Sequence, residues 1–178
     1  MKSVLGNVPA VAGLTKCFNL PTILTTGFED GPNGPLVSEH EQAFPKAPFI
    51  PRPGPVNAWD DDDFVPAVNV TGRNQLIIAG VVTEVCIAFL ALSAIADGCD
   101  VFVATTDATG TFNEFSRLAA CDRVSAAGVQ LMTWCAPACV LHCDWRNDES
   151  LGGLFSNHIP DYSDLINSFT TLKSAKAA

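Results

Sequence analysis

Charge is scarce in this chain. Only 16% of its 178 residues are Asp, Glu, Lys or Arg, and 19 acidic against 10 basic side chains leave a net charge of -9. So acidic a surface repels phosphate backbones and anionic headgroups, which excludes nucleic acid and anionic membrane as partners. No unbroken run of about 18 apolar residues occurs, so no transmembrane helix and no membrane partner are expected. The opening MKSVLGNVPAVAGLTK is interrupted by Asn7 and Pro9 and reads as a helix rather than a secretory signal. The seven cysteines are odd in number and show no disulfide-framework spacing, which places the chain in the reducing cytoplasm. The run Asp60 to Asp63 lacks the glycine and distal glutamate of a calcium loop and suits a solvated helix start. Cys135, Cys139, His142 and Cys143 follow no finger spacing, and their three thiols would stack along one helix face, a poor tetrahedral set. No metal and no cofactor are therefore expected. What the chain has in quantity is apolar surface: 48% of its residues are hydrophobic. With so few charges to cover it, contacts between subunits are expected.

One stretch organises the rest. Leu76 to Val82 is an apolar run of strand length, suited to a strand buried on both faces. Thr83 and Glu84 break it. Val85 to Ala96 then reads as a helix, with Val85, Phe89, Leu92 and Ile95 at helical spacing and Asp97-Gly98 as the stop. Cys86 falls where strand becomes helix, at the carboxyl edge where open parallel sheets bind ligands. A thiol there sees the positive end of the helix dipole, which favours thiolate, beside backbone N–H groups that lack helical partners. A buried structural cysteine is the plainer alternative.

In chain order, Asn7 caps a first helix with Pro9 in its first turn. Pro21 to Thr26 reads as a short strand, and GFEDGPNGPL as a loop. Pro48 to Ile50 is extended, Arg52-Pro53-Gly54 turns, and Phe64 to Val70 is helical despite Pro66. Asp100 to Thr105 is a second buried strand. Asn113 or Thr111 caps a helix reaching about Ala127. Val129 to Trp134 is the last strand, Pro137 to His142 a helical turn, and Tyr162 to Leu172 a final helix, with Ser174 to Ala178 frayed. Alternating strands and helices predict one α/β domain over residues 1–178, a three-layer α/β/α arrangement with a parallel Rossmann-like sheet. The tail from about residue 150, with Phe155 and Phe169, is expected to pack on a neighbouring subunit.

The string GVVTEVC followed by an apolar helix resembles the nucleophile segment of the isochorismatase-like cysteine hydrolases. The segments NAWDDDDF, TTDATGTFNE, QLMTW and DWRND resemble the YcaC-type subgroup of that family, and the likeness runs from about Asn7 to about Leu172. It implies Cys86 as nucleophile, an oxyanion hole from the N–H groups of Thr83 and Cys86, and a cis peptide between Val82 and Thr83. It also implies a homo-oligomer, an octamer-like ring. The family's lysine aligns with Arg52, which keeps a positive charge beside the thiol but cannot give up a proton; a surface arginine in a proline-rich turn is the alternative. Asn57 and Trp59 follow closely and are read as pocket residues, Trp59 as a stacking surface or as core. The nicotinamidases of the wider family carry an Asp and His metal site, and GFEDGPNGP has no histidine. True isochorismatases lack the cysteine, which points away from vinyl-ether cleavage.

The resemblance also implies an Asp-terminated first strand ahead of the Asn7 helix, where only Met1 to Gly6 stand. That central strand is therefore missing from this chain. Pro21–Thr26 and Gln75–Val81 should lie apart across a gap, or pair directly. The family's acid/base Asp has no counterpart. Asp107, after a neighbouring strand, is the substitute to test, although Asp in a DATG loop commonly serves a turn. Glu84 is read as bonding locally at the helix start.

The function implied is hydrolysis of a small amide or carbamoyl substrate through a covalent thioester on Cys86. A catalytically inactive oligomeric homologue is the alternative. A flavodoxin-like nucleotide binder ranks last, since no G-x-G-x-x-G or P-loop is present.

Overall fold

The computed structural model describes residues 2–103, 107–147 and 150–177. Among these residues five short strands are all parallel to their neighbours, and they fall into two separate sheets. β1 (Leu24–Gly27) pairs with β2 (Phe49–Arg52), in register Leu24 opposite Phe49. β3 (Gln75–Ile78), β4 (Asp100–Val103) and β5 (Gln130–Leu131) form the other sheet in that order. No ladder joins β1 to β3, so of the two arrangements expected the gap is the one adopted.

The faces of β3 show how the layers form. Successive strand residues point to opposite sides. Leu76 and Ile78 join one core with Val101 and Val103 of β4, Phe64 and Val68 of α3 (Phe64–Val70), Ala91 and Ala94 of α4 (Ala88–Ala96), and Val124 of α5 (Glu114–Ala126). Ile77 and Ala79 point into a second core. It is built from Leu14 of α1 (Lys2–Cys17), Ala138 of α6 (Cys135–His142), and Leu151 and Phe155 of α7 (Ser150–His158), around Trp134. Helices therefore cover both faces of the three-stranded sheet. A strand buried on both sides needs a continuous apolar run, and LIIA supplies it. The β1–β2 unit attaches through side chains: Ile23 and Ile50 pack on the first core and Leu20 on the second.

Several boundaries differ from expectation. α1 starts at Lys2 and carries Pro9 inside it, so Asn7 does not cap it. β3 stops at Ile78, because Gly80 takes φ 137°, which a pleated ladder does not accommodate; only an isolated bridge to Thr109 resumes the pairing. β4 is described to Val103, and the expected end at Thr105 lies outside the described residues. β5 is two residues long, since Trp134 already turns into α6. Asn113 is the cap of α5, accepting from the Ser116 N–H through its side chain.

The tail divides. α7 packs on its own chain, with Leu151, Leu154 and Phe155 buried in the second core, so Phe155 is not a subunit contact. A sequence without an alignment could not separate that segment from α8 (Pro160–Ala177), which stays helical from Ser174 to Ala177, while Ala178 lies outside the described residues. Beyond Tyr162 and Ser163, α8 is exposed on every side. No helix among the described residues is long and apolar enough to cross a membrane.

Candidate active site

Cys86 stands on a π-helical turn, Thr83–Ile87, between the end of β3 and the start of α4. The wider turn arises because the Ile87 N–H reaches back five residues to the Val82 carbonyl, at 3.2 Å. An ordinary α-helical start at Val85 was the expectation. Such π-turns recur at functional positions, where the extra residue re-aims a side chain. Cys86 is half-buried, and its thiol makes no hydrogen bond among the described residues. The cis peptide of this region joins Val81 to Val82, one bond earlier than the resemblance implied.

What fixes the turn is the loop after β4. Gly80 and the loop exchange backbone bonds, Gly80 N–H to the Ala108 carbonyl at 3.1 Å and Gly110 N–H to the Gly80 carbonyl at 2.9 Å. The Thr83 hydroxyl, in a residue only 2% exposed, donates to the Gly110 carbonyl at 2.7 Å and lies 2.8 Å from the Thr109 hydroxyl. Glu84 does not bond locally. Its Oε1 accepts from the Phe112 N–H at 3.0 Å and the Thr111 hydroxyl at 3.2 Å. The turn that carries Cys86 is thus stapled to residues 108–112 through Gly80, Thr83 and Glu84.

That stapling corrects one site assignment. The Thr83 N–H donates to the Gly110 carbonyl at 2.6 Å. An amide has one proton, so this group is already engaged and does not present itself to an oxyanion. Thr83 holds the turn in place, and of the two residues assigned to the oxyanion hole only Cys86 retains that role as a candidate.

Asn57 and Trp59 are likewise relocated. Asn57 is buried; its Oδ1 accepts from the Trp59 N–H, and its amide donates to Asp60 Oδ1 at 3.1 Å and Ser93 Oγ at 3.0 Å. The Trp59 indole N–H donates to Asp97 Oδ2 at 2.6 Å, and its ring meets Phe64 edge-on. Ser93 lies seven residues beyond Cys86, about 10 Å along a helix at 1.5 Å per residue. Both side chains therefore brace the far half of α4.

Arg52 closes β2 and is 5% exposed, which removes the surface-arginine alternative. Its guanidinium donates to Thr25 Oγ1 at 3.1 Å and to the carbonyls of Pro55 and Val56 at 2.6 and 2.7 Å. Each of these bonds stays within the β1–β2 unit and the turn that follows it. Gly27 is glycine for this reason: a Cβ there would sit 3.1 Å from the guanidinium. The structure shows no bond from Arg52 to Cys86.

Asp107 follows β4, and its Oδ1 accepts from the Trp134 N–H at 3.0 Å, tying the loop to the start of α6. Burial pushes its carboxyl above the usual carboxylate range, against the opposing pull of that bond. The cysteines of α6 do not converge. His142 is buried against Trp145, while Cys143, past the helix end at φ 61°, donates to the Val140 carbonyl. Among the described residues no three His, Cys, Asp or Glu side chains come together as a metal would require.

Comparison with known proteins completes the description. A family model described as the isochorismatase domain matches residues 20–136. The chain is 65% identical over 171 residues to Probable hydrolase YcaC of Escherichia coli strain K12, spanning 96% of this chain and 82% of that one. A crystal structure of the Escherichia coli YcaC product, described as an octameric hydrolase of unknown specificity, superposes with a TM-score of 0.92 at 63% identity, covering 96% of this chain and 84% of that one. YcaC of Pseudomonas aeruginosa, solved with hexane-2,5-diol and covalent acrylamide, gives 0.91 at 58% identity, covering 95% and 84%.

Proposed function

The chain belongs to the isochorismatase-like family, in its YcaC-type branch, and on that footing we propose that it hydrolyses a small amide or carbamoyl compound through a thioester on Cys86. The observation that carries this reading is the placement of Cys86. It rides a π-turn at the carboxyl end of a strand buried on both faces, in a backbone stapled to the adjoining loop. The thiolate sulfur adds to the carbonyl carbon and the oxygen takes up negative charge near the Cys86 N–H. The C–N bond then breaks, and the leaving nitrogen takes, through water, the proton that the Cys86 thiol gave up on forming its thiolate. Water attacks the thioester, releasing a carboxylic acid and the thiol. In this reading Arg52 supplies the positive charge at the end of β2. Acrylamide is a thiol-selective Michael acceptor, and its covalent presence in the Pseudomonas relative supports a nucleophile in this branch.

The test uses limiting acrylamide followed by peptide mapping. Cys86 is expected to label ahead of the exposed Cys17, Cys139 and Cys143. A screen of small primary amides and carbamoyl compounds for ammonia release should then yield activity that Cys86→Ser abolishes. Labelling of Cys86 no faster than Cys17, or full hydrolysis by the Ser variant, refutes the proposal.

The inactive-homologue reading has its own support. No described side chain hydrogen-bonds Cys86, and the guanidinium of Arg52 is committed elsewhere. It predicts neither selective labelling nor turnover. Under either reading the protein works as a homo-oligomer in the cytoplasm, in keeping with its seven free cysteines and with the octameric relative.

A further inference from the structure

The β1–β2 unit and the three-stranded sheet each end in an open strand edge, and the same two cores border both. In a parallel ladder the N–H and C=O of one residue turn to the same neighbour, and those of the next residue turn the other way. The Leu24 N–H donates to the Pro48 carbonyl and the Phe28 N–H to the Arg52 carbonyl, at 3.0 and 2.8 Å. The even-numbered residues of β1 thus serve β2, and Thr25 and Gly27 turn away from it. On β3 the Asn74 carbonyl accepts from the Asp100 N–H and the Gly80 N–H donates to the Ala108 carbonyl, at 2.9 and 3.1 Å. Gln75, Ile77 and Ala79 therefore turn away from β4. Neither β1 nor β3 has a second ladder, so among the described residues these amides have no strand to bond. The Gly27 carbonyl is taken by the Asn33 side-chain amide at 2.7 Å.

The surroundings of this gap set what it takes. Ile23 and Leu76 pack on the first core, and Leu20, Ile77 and Ala79 on the second. Both faces beside the gap are apolar, so a segment lying there is apolar at every position rather than at every second one. Its backbone meets β1 with alternate residues and β3 with those between. The open edge from Gln75 to Ala79 runs for about 17 Å at 3.3–3.4 Å per residue. The Thr26 hydroxyl on β1 is buried with no partner among the described residues, a second sign that this strand lacks a neighbour. Rows of unpaired N–H and C=O groups are a template for a further strand.

We propose that the gap between β1 and β3 is a binding slot for a separate peptide: one extended segment of about five residues, apolar throughout, that joins the two sheets into one. The proposal rests on the two sheets and not on Cys86, so it stands or falls apart from hydrolysis.

The probe is the peptide Lys-Lys-Val-Ile-Val-Ile-Ala-Lys-Lys, with its lysines outside the apolar stretch for solubility. Two control peptides carry Pro or Asp in place of the central valine. Amide hydrogen exchange is read residue by residue at Thr25, Gly27, Ile77 and Ala79, with the laddered amides of Leu24 and Leu76 as references in the same strands. In the protein alone the four gap-facing amides are expected to exchange faster than the references. The apolar peptide should slow them by about tenfold for each tenfold rise in its concentration above the Kd, and the thermal midpoint should rise in step. Neither control should do so, since Pro removes a ladder donor and Asp places a charge against an apolar face. Protection of the four amides without peptide means that the chain itself or a second copy already fills the slot, and overturns the proposal. So does an apolar peptide that slows nothing, or a Pro control that slows exchange equally.

Discussion

Replacing Thr83 by Val removes a single hydroxyl from beneath the turn that carries Cys86. The residue is 2% exposed, so water does not stand in for what is lost. Two contacts go: the bond to the Gly110 carbonyl at 2.7 Å and the approach to the Thr109 hydroxyl at 2.8 Å. The Thr83 N–H still holds Gly110 at 2.6 Å, and the bonds from Gly80 and Glu84 remain, so the loop stays docked with fewer ties. A typical net hydrogen bond contributes about 0.5–1.5 kcal/mol, so the pair sums to about 1–3 kcal/mol. With a urea slope of about 2 kcal/mol/M for a chain of this size, the unfolding midpoint should fall by about 0.5–1.5 M. The comparison is made at one protein concentration, since assembly contributes to apparent stability. Thr83→Ser keeps the hydroxyl and should lose less than half as much. The acrylamide labelling rate of Cys86 should change in Thr83→Val, because the turn that aims the thiol is loosened. An unchanged midpoint together with an unchanged labelling rate refutes the idea that this hydroxyl holds the turn.

Asp107→Asn tests a second buried group. Burial raises the Asp107 pKa in the folded state, so folding favours its neutral form. The contribution is present at pH values below the unfolded pKa and is lost as the pH rises through the folded one. Asn stays neutral and still offers an oxygen to the Trp134 N–H. The variant should therefore be more stable than the native chain at neutral pH, with the difference closing in acid, as thermal melts across pH will show. If hydrolysis survives unchanged in this variant, Asp107 is not the acid/base group. Leu151→Ala opens a cavity where α7 meets α1, at a side chain 1% exposed, and should cost about 2–5 kcal/mol in chemical denaturation; a loss under 1 kcal/mol would mean that α7 is not part of the chain's own core.

The central strand and Cys86 were legible because their signals are local. LIIAGVV is an apolar run of strand length, and the turn before an apolar helix marks itself. What stayed hidden shares one cause, which is that hydrogen-bond partners distant in the chain decide what a side chain touches. Asn57 and Trp59 stand near Arg52 in sequence, yet their partners Ser93 and Asp97 are 36 and 38 residues away. Glu84 reaches Phe112 across 28 residues, and the Thr83 amide is taken by a carbonyl in that same loop. Threonine and glycine at 109 and 110 look like ordinary turn chemistry, and nothing in their identity announces that they clamp the site. Counting strands left a gap or a direct pairing between β1 and β3, and only the structure chooses the gap. The independence of α7 from α8 was not legible, since both carry phenylalanine and apolar spacing.

The split sheet changes what sets the span from Arg52 to Cys86. In a continuous sheet, neighbouring strands are held about 4.8 Å apart by their ladder, and residues at their ends inherit that spacing as a fixed ruler. Here the ruler is interrupted. The strand that carries Arg52 is joined to the strand that leads to Cys86 by the side-chain packing of Ile23 and Ile50. Packed side chains transmit volume rather than register. Trimming or enlarging those two isoleucines therefore translates the arginine-bearing unit against the cysteine-bearing one, while every hydrogen bond inside each unit is preserved. The two isoleucines therefore set the span between the unit that carries Arg52 and the turn that carries Cys86.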